Sequence, residues 1–135
     1  MALKNDPLIF VIDKNSGYRK TITDCLEALS FNNYVEFSNG EQCFTSKSPV
    51  PDIIILDYNL GENNWNGIEF MEEYSRVNKK TQYIFLSSNS KLDVAVESIR
   101  LGAFDYILKS NSGLSRMVQQ VQKFRTNTNV KDRVE

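Results

Sequence analysis

Four polar clusters follow short apolar runs in this sequence, and each holds a side chain able to do chemistry. Asp13-Lys14-Asn15 follows Leu8-Ile9-Phe10-Val11-Ile12, and Asp57-Tyr58-Asn59 follows Ile53-Ile54-Ile55-Leu56. Ser87-Ser88 follows Tyr83-Ile84-Phe85-Leu86, and Lys109-Ser110 follows Phe104-Asp105-Tyr106-Ile107-Leu108. Taken singly, an Asp or Ser in such a place is the ordinary cap of the helix that follows a strand. Taken together, two carboxylates, a hydroxyl and an ammonium at the ends of four strands form a specific set. What the chain lacks narrows their chemistry. It has no His, which excludes His-based triads, imidazole metal sites and imidazole pH switches. Its two cysteines, Cys25 and Cys43, are too few for a disulfide scaffold or a Cys-based zinc site. Both lie on helix-like segments and read as buried, reduced thiols.

Bringing the four clusters to one edge requires the apolar runs to be strands of one sheet. Their length, their β-branched and aromatic content and their flanking turn residues favour strands. Their unbroken apolar character fits strands covered on both faces, as in a parallel sheet. A fifth run, Tyr34-Val35-Glu36-Phe37, is interrupted by a charge and reads as an edge strand. Helical stripes lie between the runs: Ile22, Cys25, Leu26 and Leu29; Phe70, Met71, Tyr74 and Val77; Leu92, Ala95, Val96 and Ile99; and Leu114, Met117, Val118, Val121 and Phe124. Each is the expected core-facing side of a helix, its Met and aromatic residues being core contacts. A further short helix spans Asn39 to Thr45. Five alternations of strand and helix imply a parallel sheet with helices on both faces, whose ligands bind at the carboxyl ends of the strands.

The 135 residues make one domain, expected over 1–125, with 126–135 a polar tail or the start of a linker. Sixteen basic against seventeen acidic side chains, a net charge of −1, argue against a whole-surface reader of DNA or of an anionic membrane. The first seven residues lack the apolar stretch of a signal peptide, and no run approaches the ~20 apolar residues of a membrane span. A soluble cytoplasmic protein is the expectation.

The sequence resembles the receiver domain of two-component response regulators over about residues 7–125. The resemblance rests on Val11-Ile12-Asp13, Ile54-Ile55-Leu56-Asp57-Tyr58-Asn59-Leu60, Asn66-Gly67-Ile68-Glu69-Phe70, Phe85-Leu86-Ser87-Ser88 and, most diagnostic, Gly102-Ala103-Phe104-Asp105-Tyr106-Ile107-Leu108-Lys109. It implies a flavodoxin-like, doubly wound, five-stranded parallel sheet of order 2-1-3-4-5 with five helices in three layers. It also implies roles. Asp57 matches the phosphoacceptor, which takes a phosphoryl group from a histidine kinase or a histidine phosphotransfer protein. Lys109 matches the lysine that pairs with phosphoryl oxygens, Ser87 the switch hydroxyl, and Tyr106 the aromatic that moves inward when that hydroxyl is drawn away. Asp13, Asp57 and the backbone carbonyl of Asn59 would hold Mg²⁺.

Three departures stand out. Lys14 takes the place of the second acid of the family's acidic pair, a register set by Arg19 six residues after Asp13. An ammonium there weakens a Mg²⁺ site and lowers the repulsion among neighbouring carboxylates. Lys14 either points to solvent or occupies the cation's place beside Asp57, and a one-residue slip would make Asp13 the direct ligand. The loop after Asp57 lacks the usual Pro and puts Gly67 ten residues on, with Trp65 beside the site as a partner contact or half-covered by its own loop. Ser110 replaces a proline that is usually cis, so the Lys109-Ser110 peptide is expected to be trans, with Ser110 free to cap the last helix.

A working receiver is therefore set against a pseudo-receiver, a protein-interaction module that does not depend on phosphorylation. Asp57, Ser87 and Lys109 favour the first; Lys14 and Ser110 favour the second. A haloacid-dehalogenase-type phosphatase would need Asp where Asn59 stands, and a flavodoxin-like FMN site would need a Ser/Thr-rich loop where Asp13-Lys14-Asn15-Ser16-Gly17 stands. Output is expected through the fourth helix, last strand and fifth helix, about Ser90 to Arg125, to a protein partner and not to nucleic acid or membrane. Lys91, Arg100, Arg116, Lys123 and Arg125 form a modest basic face there or, more simply, a solvated one.

Overall fold

The computed structural model describes residues 6–134, with side chains through Arg125. Strands β1 (Ile9–Ile12), β2 (Tyr34–Phe37), β3 (Ile53–Leu56), β4 (Gln82–Ser87) and β5 (Asp105–Leu108) alternate with helices α1 (Ser16–Ala28), α2 (Gly40–Thr45), α3 (Gly67–Val77), α4 (Leu92–Arg100) and α5 (Asn111–Val134). The strands form one parallel sheet in the order β2-β1-β3-β4-β5.

Alternate residues of the inner strands point to opposite faces, and both faces are covered. Ile9, Val11, Ile53, Ile55, Ile84 and Leu86 join Ile22 and Leu26 of α1 and Met117 and Val121 of α5 in one core. Phe10, Ile12, Ile54, Leu56, Tyr83 and Phe85 join Cys43 of α2 and Phe70, Met71 and Tyr74 of α3 in the other. Two-sided burial is why these strands lack a polar alternation, and each such Ile, Leu or Phe contributes roughly 1.5–3 kcal/mol. Edge strand β2 is only partly buried, as its Glu36 suggested.

Asn side chains open three helices: Asn15 accepts from Tyr18 N, Asn39 from Gln42 N, and Asn66 completes a capping box with Glu69. Ser110 caps α5 by accepting from Gly113 N, and its peptide with Lys109 is trans.

Two parts of the helical reading need correction. The α4 stripe is not core: Leu92 is 77% exposed, Val96 54% and Ile99 48%, while Ser98 is the buried residue of the helix. Leu29 and Val77, at the ends of their stripes, are exposed as well. A periodic stripe identifies one side of a helix but not what covers it, and the buried position of α4 is Ser98 instead. Cys43 is buried and Cys25 half-buried, both as free thiols. The tail expected over 126–135 lies outside the described side chains; the helical backbone runs through Val134, with no Gly or Pro to end it. Among the described residues no helix is long and apolar enough to cross a membrane.

Candidate functional site

Register decides which strand-end groups meet. Ile12 pairs with Leu56 and Leu56 with Phe85, so Asp13 and Asp57 leave adjacent strands side by side. Ser87 pairs with Leu108, which puts Lys109 one residue further out. Asp13 and Asp57 are 1% and 5% exposed. Ser87 Oγ donates to Asp57 Oδ1 at 2.6 Å, and Lys109 Nζ donates to Asp57 Oδ2 at 2.9 Å. The same ammonium lies 2.8 Å from Asp13 Oδ2. Burial alone would lower the Lys109 pKa, but the Asp13 and Asp57 carboxylates against the ammonium outweigh it and hold it above the usual lysine value. All four strand-end groups of the sequence reading therefore form one cluster.

A fifth member had no signal of its own in the sequence. Tyr18, in the first turn of α1, carries Lys109 Nζ over its ring, 4.2 Å from the centroid. Only its place three residues after the Asn15 cap could have pointed to it.

Lys14 does not take the cation's place. It is exposed, and Lys109 is the ammonium that stands between the two carboxylates. Asp13 faces inward at the end of β1, and the next residue turns outward. Arg19 donates to the Asp13 carbonyl and pairs with Glu36 of β2 at 3.2 Å, so it braces the backbone beneath the acid.

Around Asp57 the loop is closely fitted. Asn59 N lies 3.4 Å from Asp57 Oδ1, and Asn59 Oδ1 accepts from Gly61 N. Leu60 is buried, and the Asn64 side chain donates to its carbonyl. Gly67 N donates to the Tyr58 carbonyl at 2.7 Å, and a Cβ on Gly67 would fall 2.5 Å from the Asp57 carbonyl oxygen. Trp65 is half-buried against Phe44 of α2, ring centroids 5.6 Å apart, with its backbone N–H on Glu41.

A continuous chain of hydrogen bonds leads away from the acid. Asn89 N donates to Ser87 Oγ at 3.2 Å, and the Tyr106 hydroxyl donates to the Asn89 carbonyl at 2.7 Å. The half-buried Tyr106 ring stacks on Phe85 at 5.5 Å. Asp57, Ser87, Asn89 and Tyr106 are thus linked in series.

The donors available to a cation at these strand ends are the Asp13 and Asp57 carboxylate oxygens. Asp13 Oδ2 is buried and, beyond its ion pair with Lys109, makes no hydrogen bond, so it has lone pairs to give. Such a set fits Mg²⁺, which binds through one or two carboxylates and keeps several waters. Two carboxylates are present, and among the described residues no three His, Cys, Asp or Glu side chains form a metal-ligating group.

The basic face expected over α4 and α5 is largely neutralised within the fold. Arg100 pairs with Glu97, Arg116 makes two hydrogen bonds to Asp105, and Arg125 binds Asp6 and the Leu29 and Ser30 carbonyls. Lys91 and Lys123 are exposed.

The family model for the response regulator receiver domain matches residues 9–122. The chain is 25% identical over 116 residues to the chemotaxis protein CheY of Thermotoga maritima, covering 85% of this chain and 94% of that protein. It is 24% identical over 102 residues to the regulatory protein AtoC of Escherichia coli, covering 75% of this chain but 22% of the length of AtoC. A CheY-like receiver domain protein from Methanospirillum hungatei superposes with a TM-score of 0.77 at 15% identity, covering 91% of this chain and 96% of that one, a likeness of fold.

Proposed function

The chain belongs to the response regulator receiver domain family, and from that membership we propose that it accepts a phosphoryl group on Asp57 from the phosphohistidine of a histidine kinase or histidine phosphotransfer protein. The observation that carries this is the Asp57 carboxylate itself, which has a hydroxyl on one oxygen and an ammonium on the other. An oxygen of Asp57 attacks phosphorus, a P–O bond forms, the P–N bond to the imidazole breaks, and the imidazole leaves with its electron pair. Such transfer depends on alignment and charge neutralisation more than on covalent help. Lys109 supplies positive charge for the phosphoryl oxygens, and Ser87 supplies a donor. Mg²⁺, held by Asp13, Asp57 and the Asn59 carbonyl, would neutralise further phosphoryl charge. The chain acts as a switch and not as a turnover enzyme, apart from catalysing its own transfer and dephosphorylation.

The switch runs along the bonded series. A phosphoryl group draws the Ser87 hydroxyl, and the shift reaches Tyr106 through Asn89. The output is read by a protein partner on α4, β5 and α5, where Leu92, Val96 and Ile99 are already exposed, with no direct contact to nucleic acid or membrane, in the cytoplasm. For a two-state switch of this kind, the partner must bind the two states differently. A domain of about 1–125 carries all of these groups.

Incubation with acetyl phosphate, followed by intact mass, tests the reading. The parent gains one phosphoryl group and Asp57→Ala gains none. A parent that stays unmodified with and without Mg²⁺ overturns it in favour of the pseudo-receiver, the reading that Lys14 and Ser110 favour.

A further inference from the structure

Tyr18 has no part in the function proposed above, yet it touches the side chain on which that function turns. We propose that Tyr18 is a positioning residue, its ring face holding the Lys109 ammonium in place over Asp57; the proposal rests on the reading of Asp57 as phosphoacceptor and deepens it. An ammonium within about 6 Å of an aromatic centroid is drawn to the ring face, more strongly when desolvated. Lys109 Nζ lies 4.2 Å from the centroid, and its side chain is 17% exposed.

The ring is set there by the acid cluster itself. Asp13 Oδ1 accepts from Asn15 N at 2.8 Å, and Asn15 Oδ1 accepts from Tyr18 N at 2.9 Å. The carboxylate that pairs with Lys109 thus also anchors the helical turn that carries Tyr18 beneath it. Tyr18 is itself partly buried and packs against the core that includes Ile22 and Leu26 of α1 and Met117 and Val121 of α5.

The ring contact differs in kind from the two carboxylate contacts. Phosphorylation of Asp57 gives an acyl phosphate and puts the negative charge on the phosphoryl oxygens, where Lys109 pairs with it. The ring carries no charge, so its contact with the ammonium does not depend on the charge of Asp57. Burial raises the Tyr18 phenol above its ordinary pKa, and the Asp13 and Asp57 charges add to this against the opposing pull of Lys109. The ring is therefore neutral at physiological pH. Its hydroxyl is buried and makes no hydrogen bond. The ring face, and not the hydroxyl, is the working part.

Phosphorylation rates with acetyl phosphate, read by intact mass, test this in the parent, Tyr18→Phe and Tyr18→Leu, each also in a Lys109→Ala background. Tyr18→Phe keeps the face and reacts within about twofold of the parent, while Tyr18→Leu is slowed about five- to thirtyfold. In the Lys109→Ala background Tyr18→Leu causes no further slowing, because nothing remains to be positioned. Upfield NMR shifts of the Lys109 methylene protons persist in Tyr18→Phe and vanish in Tyr18→Leu while the remaining amide spectrum stays folded. Equal slowing in both backgrounds, equal loss in the Phe and Leu variants, or a Leu variant as fast as the parent overturns the positioning role alone. A parent that gains no phosphoryl group overturns the proposed function, and the positioning role in that reaction falls with it.

Discussion

Asp57 is satisfied on both oxygens by groups of different kinds, and each can be removed separately. Ser87→Ala removes the side-chain donor to Oδ1 and cuts the bonded route from Asp57 to Asn89 and Tyr106. Phosphoryl gain should continue, slowed about tenfold or more by loss of one aligned donor. The beryllofluoride-induced NMR shift at Tyr106 should disappear, while that at Asn59 remains. Lys14 calls for the opposite experiment. It is exposed next to Asp13 in sequence, and its charge would oppose a divalent cation bound by Asp13 and Asp57. Lys14→Asp changes the local charge by two units and should tighten Mg²⁺ binding by about tenfold or more, measured by titration calorimetry.

At the scale of elements, two glycines keep helix starts close to the site. A Cβ on Gly67, at the start of α3, would lie 2.5 Å from the Asp57 carbonyl oxygen and 2.7 Å from Phe85 Cε2. A Cβ on Gly113, in the first turn of α5, would lie 2.0 Å from the Leu108 carbonyl oxygen. Backbone oxygens cannot swing aside as a flexible side chain can, so the element must move. Gly67→Ala should destabilise the fold by about 1–3 kcal/mol in urea unfolding and slow phosphorylation, because α3 would press on Asp57. Gly113→Ala should cost about as much and displace the strand end that carries Lys109.

Across the whole molecule, protons held in the second core link stability to alkaline pH. Burial pushes the Cys43 thiol from 9.0 to about 12; burial, with Cys43 nearby, pushes the Tyr74 phenol from 10.0 to about 12, and Tyr83 is raised as well. Lys109 is raised too, because its carboxylates outweigh the lowering by burial. In every case the folded chain holds its proton more tightly than the unfolded chain. Stability therefore falls as pH rises from about 9 through about 12. Thermal unfolding followed by circular dichroism should show the midpoint dropping steeply over that window, and Cys43→Ala should make its onset later.

Fold class was legible because unbroken apolar runs, too short for helices, alternated with helical stripes; the strand order followed only from the resemblance to receiver domains. The site was legible because Asp13, Asp57, Ser87 and Lys109 each directly follow or close a strand, and parallel register delivers strand ends to one edge. Tertiary structure alone decided what depends on partners distant in sequence. Lys109 reaches two carboxylates 52 and 96 positions away and displaces Lys14 from the part the sequence allowed it. Tyr18 meets Lys109 across the gap between α1 and β5, a contact without any local signature. The apolar stripe of α4 stays in water because helical period records which residues share a side, while only packing decides whether another element covers it.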